Sequence, residues 1–142
     1  MSTIAMPVPD SDTLGRRDEI IDALEAAVPG AVISDPIETR AYECDALTAY
    51  RCPPLAVVLP YTTEEVAAAM KVCFDLGVRV VPRGAGTSLA GGSLPTADSI
   101  ILGTARLNDV LEIDYDNRFI RVQTGVTNLS VTGAVEEDGF FY

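Results

Sequence analysis

The sequence predicts an α+β fold, and three observations carry this prediction. Short apolar runs typical of buried strands occur at residues 55–59, 78–81 and 99–102. A stretch with helical periodicity, residues 62–76, separates the first two runs and gives a βαβ-like unit. Two alternating stretches around Asp116-Asn117 predict a β-hairpin further along the chain.

The helix of the βαβ-like unit has recognisable ends. Thr62 and Glu65 have the spacing of a capping box, and Gly77 is a typical helix stop. The prolines on both sides of residues 55–59 bound the first strand. The residues that we expect on the buried face of the helix are Val66, Ala69, Met70, Cys73 and Phe74.

The N-terminal third of the chain is predicted to be helical. We expect residues 1–11, which are polar and contain proline, to form a mobile leader. Apolar residues at helical spacing predict a helix over residues 12–28, ended by Pro29-Gly30. Asp35-Pro36 then predicts the start of a short helix that runs to about Arg40. The predicted domains are accordingly a helical segment over residues 12–54 and a second unit over residues 55–142.

The C-terminal part is predicted to contain the hairpin, one helix and the start of a strand. The hairpin strands are residues 110–114 and 119–123, and Thr127 is a candidate N-cap of a helix that ends before Gly139. Phe140, Phe141 and Tyr142 have the composition of a buried strand. We therefore expect the chain to be a fragment of a longer protein.

The most informative segment is a glycine-rich loop between Pro82 and Pro95. Its four glycines permit positive φ angles and close approach of a ligand, and its hydroxyl side chains add donors. Successive amides in such a loop can form a concave nest for an anion. Because the loop follows the second strand of the βαβ-like unit, it lies at the end of the sheet where open α/β folds bind ligands.

Two familiar phosphate loops do not fit this segment. Residues 86–93 have the spacing of a Walker loop, but Gly92 stands where that motif requires lysine. The dinucleotide fingerprint requires a third glycine where this chain has Leu89, and no helical pattern follows. A cradle of main-chain amides remains, and a surface turn without a ligand is the alternative reading of the same residues.

Charge around the loop favours an anion. No Asp or Glu occurs from Leu76 to Ala97, although the chain has 21 acidic and 10 basic residues. Arg79 and Arg83 fall inside this acid-free stretch and predict a locally positive field.

Composition excludes several classes of function. The net charge of −11 argues against nucleic acid or an anionic membrane surface as a partner, and no apolar run is long enough for membrane insertion. With no histidine, the segment has no His-containing triad. The three cysteines show no C-x-x-C spacing, which indicates packing residues in a reduced, cytoplasmic compartment. For Arg51 we favour pairing with a nearby carboxylate over contact with a ligand, and for residues 109–116 a solvated strand face over a cation site.

The loop Pro-Arg-Gly-Ala-Gly-Thr-Ser-Leu-Ala-Gly-Gly, preceded by strand, capped helix and strand, resembles the pyrophosphate loop of vanillyl-alcohol oxidase (PCMH) type FAD-binding domains. Residues 42–51 and 123–129 are similar to segments of one branch of these FAD-linked oxidases, the flavin subunits of bacterial glycolate oxidases. D-lactate and D-2-hydroxyglutarate dehydrogenases are close kin of that branch. The resemblance implies the N-terminal part of such a domain, with a helical segment before it.

The resemblance also implies a set of cofactor-binding residues and no catalytic or metal-binding ones. Main-chain amides would hold the FAD pyrophosphate, assisted by two hydroxyls, and a Gly-Val pair after the hairpin would lie against the cofactor. These residues are Pro82, Arg83, Gly84, Ala85, Gly86, Thr87, Ser88, Gly91, Gly92, Gly125 and Val126. Some relatives attach flavin through a loop histidine; this loop has none, so we expect noncovalent FAD.

The implied activity is oxidation of a small 2-hydroxy acid, glycolate or D-lactate, to the 2-oxo acid. The implied partners are companion flavin-like and iron-sulfur subunits, and these would place a cytoplasmic protein at the periphery of the inner membrane. A noncatalytic nucleotide-binding or assembly module is the alternative.

Overall fold

Four strands form the main sheet, and a separate two-stranded hairpin follows it in the chain. The computed structural model of the protein describes residues 6–142. Its helices are α1 (Ser11–Gly15), α2 (Arg17–Ala27), α3 (Thr63–Asp75) and α4 (Asn128–Val135), with 3-10 helices at Glu38–Tyr42 and Glu136–Asp138. Its strands are β1 (Val32–Ile33), β2 (Ala56–Val58), β3 (Arg79–Arg83), β4 (Ser99–Gly103), β5 (Val110–Asp114) and β6 (Phe119–Val122). The predicted α+β class is confirmed.

The order of strands in the main sheet is β1-β2-β4-β3. β4 is parallel to both β2 and β3, so that Ile101 lies between Val57 and Val81, whereas β1 runs antiparallel to β2. All residues of the central strand β4 are buried. β3 is an edge strand, which is why it tolerates Pro82, a residue without an N–H for the ladder. It also reaches two residues further than predicted and includes Arg83.

Helices α2 and α3 pack against the sheet in one core. Ile20 and Leu24 of α2 are fully buried in the same cluster as Ala56 of β2, Cys73 of α3 and Ile100 of β4. Burying a large apolar side chain contributes about 1.5–3 kcal/mol. Helix α2 therefore shares a core with α3 and the sheet.

The ends of α3 follow the sequence signals closely. Thr62 Oγ1 accepts a hydrogen bond from the Glu65 amide at 3.1 Å, which confirms the capping box. The Glu65 carboxylate accepts in return from the amide of Tyr61, one residue before the cap, at 2.6 Å. Gly77, with φ +67°, follows the helix as predicted.

The predicted buried face of α3 is partly wrong. Ala69 and Cys73 are buried, but Met70 is half-exposed and Phe74 is 85% exposed. The stripe of residues in contact with the core passes through Ala69, Cys73 and Leu76, and Phe74 lies about 100° further round the helix. Ala69 and Cys73 are the two buried residues of α3.

The N-terminal segment differs from prediction in its details. The expected helix over residues 12–28 is interrupted at Arg16, which separates α1 from α2. Asp35 accepts hydrogen bonds from two following amides, as a cap should, but the helix after it is a 3-10 helix that begins at Glu38 and extends past Arg40 to Tyr42. Part of the expected mobile leader, residues 1–5, lies outside the described residues.

A buried carboxylate fixes the chain just before α1. The amide of Asp10, whose side chain caps α1, donates to Asp98 at 2.9 Å, and Arg79 pairs with the same carboxylate at 3.1 Å. Burial would raise the pKa of Asp98, but the nearby Thr96 hydroxyl, the Asp10 amide and the Arg79 guanidinium together lower it. Asp98 is therefore an anion that stabilises the folded state at neutral pH.

Strands β5 and β6 pair antiparallel in the hairpin. Asp114 accepts hydrogen bonds from Asn117 across the turn, and Arg118 has φ +56°. These contacts confirm the predicted hairpin. The acidic residues of β5 are solvated or partly so, as predicted, and Glu112 pairs with Arg121 at 3.0 Å across the hairpin.

The capping of α4 is confirmed, but the strand predicted at the end of the chain is not found. Thr127 Oγ1 accepts from the Ser130 amide and caps α4. Residues 140–142 form no strand, and Phe141 is 86% exposed. A cavity of about 330 Å³ lies between these aromatics, the hairpin and α4. Within residues 6–142, no helix has the length and apolar character needed to cross a membrane.

Candidate functional site

A groove of about 370 Å³ opens at the carboxyl ends of the parallel strands β3 and β4. It brings the start of the glycine-rich loop together with the Gly125-Val126 pair, although 40 residues separate them in the sequence. The residues that line it are Gly84, Ala85, Thr104, Ala105, Thr124, Gly125, Val126 and Thr127.

Backbone hydrogen bonds hold the walls of the groove together. The Thr104 amide donates to the Arg83 carbonyl at 2.9 Å, and the Gly125 amide donates to the Leu107 carbonyl at 2.7 Å. A Cβ on Gly125 would collide with the carbonyl oxygen of Thr104 and lie 2.8 Å from that of Leu107. Position 125 therefore requires glycine, because its backbone packs directly against the carbonyl groups of Thr104 and Leu107.

Five successive amides at the start of the loop have no internal partner. In the part of the chain that the structure describes, none of the amides from Gly84 to Ser88 donates a hydrogen bond to another residue. Gly86 has φ +71°, a left-handed conformation that suits glycine. A Cβ on Gly84 would meet no atom within 4 Å, so the groove is open at that position. Unpaired donors on a glycine-rich backbone fit an anion such as the pyrophosphate of FAD.

The second half of the loop bonds to itself. Ser88 Oγ accepts from the amides of Gly92, at 3.0 Å, and Ala90, at 3.4 Å. Gly91 has φ +77° and, like Gly92, does not line the groove. These contacts give the Ser88 hydroxyl and the Gly92 amide a role in shaping the loop. Thr87 is exposed, and its hydroxyl makes no hydrogen bond among the described residues.

The two arginines of the acid-free stretch are both engaged within the protein. Arg79 lies at the other end of β3 and pairs with Asp98. The Arg83 guanidinium donates to the carbonyls of Cys44 and Ser93. Arg51 pairs with Glu43 at 3.0 Å, which confirms the carboxylate partner predicted for it.

The cysteines have the environment of packing residues. Cys73 lies in the core, and burial raises the pKa of its thiol to about 11. Burial also raises the pKa of Cys52, and Cys44 is partly buried. None of the three is in a disulfide. Among residues 6–142, no group of three or more Cys, Asp or Glu side chains could hold a metal ion.

Four residues of the groove were not found by sequence reasoning. Thr104 and Ala105 follow β4, and Thr124 and Thr127 flank the predicted Gly-Val pair. The rule that ligands bind at the carboxyl ends of parallel strands applies to β4 as well as to β3, and would have indicated the first two.

Comparison with known proteins gives consistent matches. The sequence model of the family described as "FAD binding domain" matches residues 54–142. The glycolate oxidase subunit GlcD of Escherichia coli K12 is 43% identical over 136 residues, which are 95% of this chain and 26% of that protein. The mitochondrial D-2-hydroxyglutarate dehydrogenase of Bos taurus is 37% identical over 87% of this chain and 23% of that protein. The chain spans about a quarter of the length of these relatives.

Solved structures agree on the fold. The chain superposes on p-cresol methylhydroxylase with a TM-score of 0.76 and 19% identity, over 92% of this chain and 26% of that one. The family match and this fold together define a domain that binds a nucleotide cofactor. The chain belongs to the FAD-binding domain family, with the fold of the vanillyl-alcohol oxidase (PCMH) type and FAD as its cofactor.

Proposed function

We propose that the chain is the FAD-binding portion of a flavin-dependent dehydrogenase of small 2-hydroxy acids, with glycolate or D-lactate as substrate. The observation that carries the proposal is the groove that brings Gly84 and Ala85, the first of the five residues with free amides, together with the Gly125-Val126 pair. The names of the relatives, glycolate oxidase subunit and D-2-hydroxyglutarate dehydrogenase, supply the substrate class. Because the chain matches only about a quarter of each, residues beyond this segment would bind the substrate.

In this function the residues of the chain hold the cofactor. The amides from Gly84 to Ser88 would bind the pyrophosphate, with Thr87 supplying a hydroxyl donor. Gly125 and Val126 would form the opposite wall, and the Thr104–Arg83 and Gly125–Leu107 backbone hydrogen bonds would hold both walls to the segment between them. Bound flavin supplies the chemistry, acceptance of a hydride from the carbinol carbon of the acid. No residue of this segment is proposed as catalytic.

We propose that the FAD is held without a covalent link through a histidine. The chain contains no histidine, so it cannot form the histidyl attachment found in some relatives of the family. The remaining cofactor-binding residues of the sequence set, Pro82, Gly91 and Gly92, would act by shaping the strand end and the loop. We also propose that the FAD-binding unit begins near residue 55, with residues 12–54 packed on it.

The proposed partners are companion flavin-like and iron-sulfur subunits that accept the electrons. The description of the bacterial relative as a subunit supports an assembly of several chains. We propose a cytoplasmic protein that reaches the inner membrane only through those subunits.

The test is purification of the protein expressed from its complete native gene. We expect a yellow protein that releases FAD into the supernatant on acid precipitation, as a noncovalent flavin should. Under anaerobic conditions glycolate or D-lactate should bleach the flavin absorbance, and L-lactate serves as the control for stereochemistry. Flavin that no 2-hydroxy acid bleaches would refute the dehydrogenase and leave a binding module, and a colourless protein that does not bind added FAD would refute both.

A further inference from the structure

The segment from Tyr42 to Leu47 lies against the glycine-rich loop. Leu47 Cδ2 lies 3.7 Å from the position of a Cβ on Gly91. Buried Asp45 accepts the Leu47 amide at 2.9 Å, and the Glu43 carbonyl accepts the Cys52 amide at 2.7 Å. The segment is therefore held by its own hydrogen bonds, and the loop packs against it.

One nitrogen of Arg83 joins this surface to both ends of the loop. Arg83 is the last residue of β3, where the loop begins, and Ser93 lies near the end of the loop. Nη1 of Arg83 donates to the Cys44 carbonyl at 2.8 Å and to the Ser93 carbonyl at 3.3 Å. The guanidinium carbon lies 5.7 Å from the centre of the Tyr42 ring, within the range of a cation–π contact.

The same side chain limits the shape of the loop at its middle. A Cβ on Gly86 would collide with Nη2 of Arg83, and the positive φ of Gly86 turns the chain at that point. The guanidinium thus packs against Gly86 while its other nitrogen bonds two carbonyls. Gly86 is one of the five residues with free amides.

We propose that Arg83 is a positioning residue of the cofactor site, a role that rests on the proposed binding of the FAD pyrophosphate by residues 84–88. Its guanidinium ties the start and the end of the loop to the segment from Tyr42 to Cys44. The tie holds the free amides in the arrangement that receives the phosphates. Arg83 acts through the loop and makes no contact of its own with the phosphates.

The chain offers a matched control in Arg79, the other cation of the acid-free stretch on the same strand. Arg83→Met keeps the aliphatic stem and removes the donors, and Arg79→Met does the same at the opposite end of β3. The measurement is the dissociation constant for FAD, from quenching of flavin fluorescence, in the protein expressed from its complete gene and freed of flavin. It is repeated over a range of salt concentrations.

We expect Arg83→Met to weaken FAD binding at least about tenfold, since hydrogen bonds to a charged group are worth roughly 1.5–3 kcal/mol. Arg79→Met should change it less than about twofold. The salt dependence of the dissociation constant should be the same in Arg83→Met as in the wild type, because the guanidinium does not touch the phosphates. Arg83→Lys, which keeps the charge on a shorter stem, should bind with intermediate affinity.

Several results would overturn the role of Arg83. Equal effects of the two methionine variants, with both shown to be folded by circular dichroism at the assay temperature, would indicate a diffuse field. A weaker salt dependence in Arg83→Met would indicate direct phosphate contact. If Arg83→Met does not fold, wild-type affinity in Arg83→Lys would refute the tie and intermediate affinity would support it. A wild-type protein that binds no FAD would instead refute the proposed function.

Discussion

Replacement of Gly84 by alanine tests whether the cofactor occupies space that the protein itself leaves empty. Gly84 lines the groove, has no positive φ, and a Cβ placed on it would meet no protein atom within 4 Å. The methyl group should therefore cost the fold little. It would occupy space beside the amides that we propose for the pyrophosphate, and each lost hydrogen bond to a charged group costs about 1.5–3 kcal/mol. One lost bond corresponds to a loss of FAD affinity of about tenfold to a hundredfold.

The assay is titration of the flavin-free protein with FAD, together with thermal unfolding of the flavin-free form. Gly133→Ala in α4 is the matched control, because its Cβ also meets no atom within 4 Å and it lies outside the groove. There we expect unchanged affinity and a gain in stability of up to about 1 kcal/mol, the preference of a helix for alanine over glycine. Wild-type affinity in Gly84→Ala would refute the placement of the pyrophosphate against residues 84–88.

Three further changes test the structure around the groove. Gly125→Ala should lower the free energy of unfolding by about 1–3 kcal/mol through overpacking against Thr104, measured by denaturant titration; unchanged stability would contradict the packing of the two walls. The pKa of Asp98 in the folded protein is below its usual 3.8. Its contribution to the free energy of unfolding is therefore complete above pH 3.8, and it is lost as the pH falls through the pKa of the folded state. The stability difference between wild type and Asp98→Asn should therefore shrink below about pH 4, and a constant difference would refute the stabilising role of the ionised Asp98 carboxylate. The Cys73 thiol, with a pKa of about 11, should resist alkylation at neutral pH until the protein unfolds, as mass spectrometry can check; rapid labelling of the folded protein would contradict its burial.

Local signals in the sequence predicted the parts of the fold that depend on a few neighbouring residues. The capping box at Thr62 and Glu65 and the cap at Thr127 appear in the structure as expected. The glycine-rich loop could also be assigned to the carboxyl end of β3, because strand, helix and strand precede it in order.

Features that depend on distant parts of the chain were less accessible. Phe74 has helical spacing with buried residues, yet which stripe of α3 meets the core depends on how the helix packs against α2 and the sheet. The charge of Arg83 indicated an electrostatic role, whereas its partners are carbonyls of residues 44 and 93, which no spacing rule identifies. Thr104 joins the groove only because β4 lies next to β3.

The position of β4 has a consequence for how the protein folds. β4 follows β2 and β3 in the chain but lies between them, and residues 84–98 are the connection that brings it there. The sheet is complete only when this connection has closed, and long-range closure of this kind slows folding. A cofactor held by residues 84–88 would restrain the same connection, and would thereby slow the withdrawal of the central strand. Hydrogen exchange at the β4 amides should then become slower when FAD is bound.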